Sequence, residues 1–280
     1  MNNQNIYVKK HSGELVLFEP EILIQSLSKS GASPQEVEDV FKKVNKKIYN
    51  SITTRNLYQI AFDELRNIRK SYAARYSLKK ALRDLGPDGF YFESWIVKIF
   101  QQDSCQTIQG VTLQGQAVTH EIDVLAVKDN ELLLCECKFK NDVTAKTPVT
   151  TSMYFLSRFN DLKPLKFNFF NKKLRPTQGW LITNTYFTSD AIDFANFYGI
   201  KLLSWNYPEK SSIKTHADSL ALYPITCLTT LSNLQKESLL KAKIILVKEL
   251  VSNSEAFKTL KISEDKKQEI MEEAQELIGM

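Results

Sequence analysis

Residues 120–138 read HEIDVLAVKDNELLLCECK, and the fold turns on how this stretch pairs with itself. Two strand-like runs flank Asp129 and Asn130, residue types that tolerate the positive φ of a two-residue hairpin turn. With that turn, opposed residue numbers sum to 259, so Asp123 faces Glu136 and Glu121 faces Lys138. Side chains alternate along a strand. Glu121, Asp123, Glu136 and Lys138 are therefore expected on one face, and Ile122, Val124, Leu133, Cys135 and Cys137 on the other. A one-residue slip would exchange the two sets, so the pairing is well specified.

Three acids and a lysine on one hairpin face suit phosphodiester hydrolysis. Carboxylates on opposed strands lie about 4–5 Å apart and repel one another unless a divalent cation joins them. Oxygen donors of this kind select Mg²⁺ or Mn²⁺. Such an ion lowers the pKa of bound water and offsets charge at phosphorus. A lysine two residues beyond a ligand projects from the same face, where it orients the nucleophile or stabilises developing charge. The alternative is a Glu121–Lys138 ion pair on a solvated sheet face. His120 falls on the face opposite Asp123, which favours a packed structural histidine over a catalytic base. His11, in a hairpin turn, and His216, in a polar loop, form no cluster with it. That argues against His-metal nucleases and Ser/His/Asp hydrolases.

Working outward, residues 90–100 (FYFESWIVKIF) form a helix that is apolar nearly all round. Strands follow at residues 107–113, 120–127 and 131–138, then a helix at 151–159, a strand at 179–183, a helix at 189–197 and a strand at 200–205. This order indicates a mixed α/β layer domain. Upstream, residues 6–18 read as a hairpin with His11, Ser12 and Gly13 at the turn. Helical periodicity covers residues 21–29, 34–49 and 53–85, with Ser33 as N-cap and Pro34 at the first helical position. Residues 85–89 (LGPDG) end this region. Downstream, residues 232–251 and 263–278 read as two amphipathic helices that pack, self-associate or contact DNA.

The chain has 280 residues, 43% hydrophobic and 25% charged, with 9 Gly and 8 Pro. That is a globular composition with room for about two domains. Its net charge of +5 is unevenly spread. Residues 1–86 carry 15 basic and 9 acidic side chains, residues 87–208 carry 12 of each, and residues 209–280 carry 10 and 11. Cys105, Cys135, Cys137 and Cys227 include no C-x-x-C pair, which disfavours a zinc site or a disulfide framework. Residues 1–10 lack the apolar core of a signal peptide, and no run of 18 apolar residues occurs. The expectation is a reducing, cytoplasmic setting without a membrane.

Asp123, followed on the next strand by Glu136-Cys137-Lys138, resembles the D…(D/E)-x-K motif of the PD-(D/E)xK nuclease superfamily. Glu93, in Gly89-Phe-Tyr-Phe-Glu-Ser-Trp, resembles the additional acid of Mrr-like restriction endonucleases and archaeal Holliday junction resolvases. Residues 179–191 (GWLITNTYFTSDA) also look like the Mrr-like domain. The resemblance implies an αβββαβ nuclease core over residues 87–208. It also implies Mg²⁺ or Mn²⁺ held by Asp123 and Glu136 with help from Glu93, and Lys138 positioning the attacking water. Mrr-like enzymes often carry Gln where this chain has Glu136, which is closer to the resolvase version. Tyr154, Ser157 and Arg158 stand where members have a polar Gln/Tyr helix.

Residues 1–86 resemble an ATP-cone, the nucleotide-binding module of ribonucleotide reductases and of the repressors of their genes. The carrying residues are Val8-Lys9-Lys10-His11-Ser12-Gly13, Phe18 and Ala74-Arg75-Tyr76. The resemblance implies ATP or dATP as effector, with Lys9 and Lys10 on its phosphates. The chain departs from the family's Lys-Arg-Asp-Gly turn, and it has Ile22-Leu23 where a Lys-Ile pair begins the first helix. The alternative is a cone used for dimerisation or DNA contact. Residues 163–175 (KPLKFNFFNKKLR) carry Lys163, Lys166, Lys172, Lys173 and Arg175 among three Phe and no acid. Such a pattern binds phosphates and stacks on bases, or else is a loop that packs its rings while its lysines stay solvated. The expected organisation is therefore cone, nuclease core and a helical segment over residues 209–280. The expected function is a metal-dependent endodeoxyribonuclease, with a non-catalytic nucleic-acid-binding regulator as the alternative. A nuclease that cuts both strands often works as a homodimer.

Overall fold

The computed structural model of the chain describes residues 5–10 and 12–279; His11, expected in the first turn, lies outside them. β1 (Tyr7–Lys9) and β2 (Leu15–Leu17) pair antiparallel, and β3 (Ile52–Thr53) joins β1 in parallel. With this small sheet go α1 (Pro20–Ser28), α2 (Pro34–Asn45) and α3 (Thr54–Ile68). Ser33 caps α2 through a reciprocal pair: its hydroxyl accepts from the Glu36 amide at 3.3 Å and its amide donates to Glu36 at 2.7 Å. Leu23, Leu27, Val37, Val40, Val44, Leu65 and Ala73 form the core of this region.

The single helix expected over residues 53–85 is instead three: α3, α4 (Lys70–Tyr76) and α5 (Leu78–Arg83). Arg69, extended at φ −148° and ψ 135°, separates the first two. No Gly or Pro marks either break, and apolar spacing continues across both. The breaks redirect the chain between two cores: Ala73 packs with the cone helices, whereas Ala74, Leu78 and Leu82 pack with the body.

The body begins with α6 (Phe90–Gln102), β4 (Gln106–Gln114), β5 (Thr119–Lys128) and β6 (Glu131–Lys138). β7 (Lys146–Thr147), α7 (Val149–Leu162), β8 (Phe167–Phe169), β9 (Lys172–Leu174) and β10 (Pro176–Thr183) follow. Last come β11 (Tyr186–Phe187), α8 (Ser189–Tyr198) and β12 (Lys201–Leu203). The main sheet runs β12-β10-β6-β5-β4, antiparallel from β4 to β6 and parallel from β6 to β12, which gives the mixed α/β architecture expected. Asp129 and Asn130 both take positive φ, 49° and 76°, and the β5–β6 register follows the sum of 259 from Val124↔Cys135 to Lys128↔Glu131.

Both faces of this sheet are covered. Val124, Ala126, Leu133 and Cys135 pack with Phe92, Trp95 and Ile96 of α6. Leu125, Val127, Leu132 and Leu134 pack with Phe159 and Leu162 of α7. Gly179 lets α7 lie close, since a Cβ there would meet Phe155 at 3.0 Å and Phe159 at 3.1 Å. Of the charged set, Asp123, Glu136 and Lys138 are therefore not on a solvated face but at one end of a face that is otherwise buried, while Glu121 is exposed.

The remaining chain forms α9 (Ile213–Ser219), α10 (Asn233–Lys241), α11 (Val247–Ser252) and α12 (Glu264–Ile278). The helix expected over residues 232–251 is interrupted before α11, with Lys243 at φ 62°. These helices complete the body's core: Leu222, Leu240, Val247, Ile270 and Leu277 share one cluster with Leu82, Trp95 and Leu133. The Trp95 indole donates to the Leu222 carbonyl at 2.7 Å, and the Thr226 hydroxyl donates to the Ala81 carbonyl at 2.7 Å. Glu273, 2% exposed, accepts from both amides of Thr229 and Thr230 and from the Thr230 hydroxyl. Among the described residues no helix is long and apolar enough to cross a membrane, and the four cysteines are buried free thiols.

Candidate functional site

The β5–β6 ladder stops at Val124↔Cys135. Beyond it the Asp123 carboxylate accepts the Cys137 amide at 2.6 Å, standing in for the missing backbone acceptor. Strand alternation breaks here as well. Ile122 joins the α7-side core while Val124 joins the α6 side, so Ile122 does not share the face of Val124, Leu133, Cys135 and Cys137 as the spacing predicts. Asp123 thus sits where the strand turns over, within reach of charges from both helices.

Glu136 is 4% exposed. One of its oxygens takes Lys138 Nζ from its own strand and the other takes Arg158 Nη1 from α7. Arg158 Nη2 also donates to the Glu121 carbonyl, and its guanidinium lies 5.6 Å from the Tyr154 ring centre. Of the three residues matched to a polar helix, Arg158 reaches the acids, while the Ser157 hydroxyl turns back to the Met153 carbonyl. Glu121 is exposed and sits opposite Thr112 on β4. The expected Glu121–Lys138 pairing is absent among the described residues because the ladder ends before reaching it.

Glu93 projects from the first turn of α6 and accepts from the Gln109 side chain at 3.3 Å. Burial, and then the charge of Asp123, raises its carboxyl to about 7. Burial, and then Glu136, raises Asp123 to about 6 against the pull of the Cys137 amide, Lys138 and Arg158. Asp123, Glu136, Lys138 and Glu93 thus form one electrostatic cluster, with Arg158 and Gln109 added. Gln109 carries no sequence signal, being one polar residue on an edge strand.

Among the described residues no group of three or more His, Cys, Asp or Glu side chains is disposed to hold a metal ion. Glu136 already has a cation on each oxygen, so the three acids expected as ligands do not converge as a ready-made site. Asp123 and Glu93, raised chiefly by burial and then by a neighbouring acid, are nevertheless oxygen donors of the type a hard divalent cation takes.

His120 Nε2 lies 2.8 Å from Asp161, whose carboxylate also accepts the Ala117 amide at 2.9 Å. Asp161 is pulled below the usual carboxylate range, chiefly by His120. This contact ties the end of α7 to the β4–β5 turn, a packing role. Gly115 is required there, because a Cβ would come within 2.0 Å of Asp161.

Residues 163–175 are not a loop. β8 and β9 pair as a hairpin turned by Phe170 and Asn171, both at positive φ. Phe167, Phe169 and Phe170 pack on the α7-side core, while Lys163, Lys166, Lys172, Lys173 and Arg175 are exposed. The rings therefore anchor the hairpin and the cations face water.

At the cone, Lys9 and Lys10 line a cavity of about 740 Å³ together with Arg55, Lys79, Lys80 and Arg83. Beside it an apolar cavity of about 320 Å³ is lined by Val8, Val16, Phe18, Leu57 and Tyr76. The α5 cations went unread in sequence because a basic helical run ordinarily signals a solvated face.

These elements define a mixed α/β protein preceded by a nucleotide-binding type of module. The family model for the ATP cone domain matches residues 6–85, and that for AF1548-like, C-terminal, matches residues 223–278. An uncharacterized protein of Archaeoglobus fulgidus is 34% identical over 185 residues, which are 66% of this chain and 100% of that protein. The crystal structure of the protein of unknown function AF1548 shares 33% identity at a TM-score of 0.55, covering 68% of this chain and 98% of that one. The chain belongs to the AF1548-like family. Protein VC1899 from Vibrio cholerae has 15% identity and a TM-score of 0.29 over 57% of this chain and 35% of its own, too little to bear on the fold.

Proposed function

We propose that this protein is a metal-dependent endonuclease hydrolysing DNA phosphodiester bonds on an Mrr-like PD-(D/E)xK core, answering to ATP or dATP on its cone. The observation that carries the reading is the electrostatic cluster of Asp123, Glu136, Lys138 and Glu93 at the open end of β5 and β6, with Glu93 raised by burial and the charge of Asp123, and Asp123 raised by burial and the charge of Glu136. Perturbed acids gathered at one point are a common mark of a reactive site. Asp123, Glu136 and Glu93 would hold Mg²⁺ or Mn²⁺, which supplies a lowered pKa for water and a counter-charge for the phosphoryl oxygens. Lys138, 34% exposed in its side chain, orients the attacking water and steadies charge developing at phosphorus. Gln109 holds Glu93, and Arg158 keeps Glu136 neutralised while the site is at rest. The exposed cations of the β8–β9 hairpin supply a surface for the DNA backbone. On the cone, a basic cavity adjoining an apolar one matches a triphosphate with its base.

The test is cleavage of supercoiled and branched DNA with Mg²⁺ or Mn²⁺. Asp123→Asn and Lys138→Ala are each expected to slow cutting by about 10²-fold or more. Inert wild type on every DNA form, or equal cutting by both variants, sinks the proposal. One observation favours a second reading, a non-catalytic DNA-binding regulator: both Glu136 oxygens are already taken by Lys138 and Arg158. That reading expects salt-sensitive DNA binding that survives Asp123→Asn, with no metal-dependent cutting.

A further inference from the structure

Lys79 belongs to two sets of neighbours. It lines the basic cavity of the cone, and its ammonium also reaches into the α/β body. There it donates to the Tyr186 hydroxyl at 2.6 Å and stands 4.0 Å from the Tyr186 ring centre and 5.6 Å from that of Trp205. Tyr186 lies on β11, which pairs with β7. The residues just before it grip the far end of β6: the Thr183 hydroxyl donates to the Lys138 carbonyl at 2.7 Å, and Asn184 exchanges two hydrogen bonds with the backbone of Lys140. Val143, in the segment that leaves β6, lines the same cavity. A continuous chain of contacts therefore runs from the cone cavity to Lys138.

Of the cavity's five other cations, three are held in ion pairs. Lys80 and Arg83 share Asp84, and Lys10 pairs with Glu14. The hydrogen bond of Lys79 goes to a neutral phenol, and burial lowers its pKa to about 8, partly offset by the field of Asp142. A phosphate oxygen is the stronger acceptor, since hydrogen bonds between ionised partners are roughly twice as strong as neutral ones.

Resting on the cone nucleotide reading above, we propose that Lys79 is the positioning residue through which a nucleoside triphosphate on the cone acts on the body. Phosphate entering the cavity draws the ammonium off Tyr186 and Trp205 and loosens the β7–β11 pair behind Lys138.

The experiment titrates the full chain with ATP, dATP and inorganic triphosphate, following heat by calorimetry and tryptophan emission in parallel. Emission is expected to change along the binding isotherm in wild type and to stay flat in Trp205→Phe, which still binds. Lys79→Met is expected to bind about tenfold more weakly and to lose the emission change. Lys79→Arg restores affinity, which excludes simple misfolding, and Tyr186→Phe binds with an altered emission change. Heat with a silent Trp205, or wild-type affinity in Lys79→Met, overturns the inference alone. Absence of heat with every ligand overturns the cone reading and the inference together.

Discussion

Asp123 and Glu93 keep protons at pH values where ordinary carboxylates have lost theirs, and this has a definite sign. The folded chain binds more protons than the unfolded one between the ordinary values of 3.8 and 4.5 and the raised values of about 6 and about 7. The stability these groups contribute is complete below the ordinary values and is lost as pH rises through the raised ones. In chelator, melting temperature is therefore expected to fall from about pH 4.5 to about 7, less steeply in Asp123→Asn and least in Asp123→Asn with Glu93→Gln. Mn²⁺ is expected to restore stability at the upper end in wild type only. An unchanged pH slope in the double variant rejects this account. Hairpin spacing and motif made Asp123, Glu136 and Lys138 legible in sequence. Arg158 was legible only as one of three helical candidates, because no spacing rule says which side chain of α7 closes on a glutamate 22 residues earlier.

At the level of elements, the β5–β6 register was legible, but for a different reason than alternation. Both faces are apolar over most of the ladder, so a slip would not expose a greasy face; the two positive-φ residues of the turn do the pinning. The β8–β9 hairpin was missed because its turn begins at Phe170, a residue type that seldom adopts positive φ. The breaks at residues 69 and 77 were missed for lack of Gly or Pro. Since the hairpin is held by its Phe side, its cations can be changed without unfolding it. Replacing Lys172, Lys173 and Arg175 with Gln is expected to weaken DNA binding on all sequences alike. The slope of log affinity against log salt should fall by about one for each residue that contacts phosphate. Unaltered affinity and slope at low salt remove the hairpin from the DNA surface.

Across the whole molecule, the segment boundaries at residues 86 and 208 do not divide the core. α4 and α5 of the cone region, α6 and the sheet of the body, and α9 to α12 all contribute to one cluster, and Lys70 and Ser71 of α4 bind Glu269 and Glu276 of α12. Sequence could not disclose this, because an amphipathic helix does not name the surface it covers. A chain ending at residue 208 is expected to lose near-ultraviolet dichroism and to be cut rapidly by protease. A cooperatively folded product would show the body to be self-sufficient. Charge behaves similarly: six of the 15 basic residues in residues 1–86 converge on one cavity that no local run reveals.

The shared core also sets an order of completion during synthesis. Trp95 lacks its Leu222 partner, and the α6-side cluster lacks the residues it draws from 213–278, until those helices have left the ribosome. A nascent chain thus carries all four candidate nuclease side chains well before their support is finished. If the protein cuts DNA, a product interrupted before residue 213 is expected to carry those side chains on an unfinished core and to cut poorly.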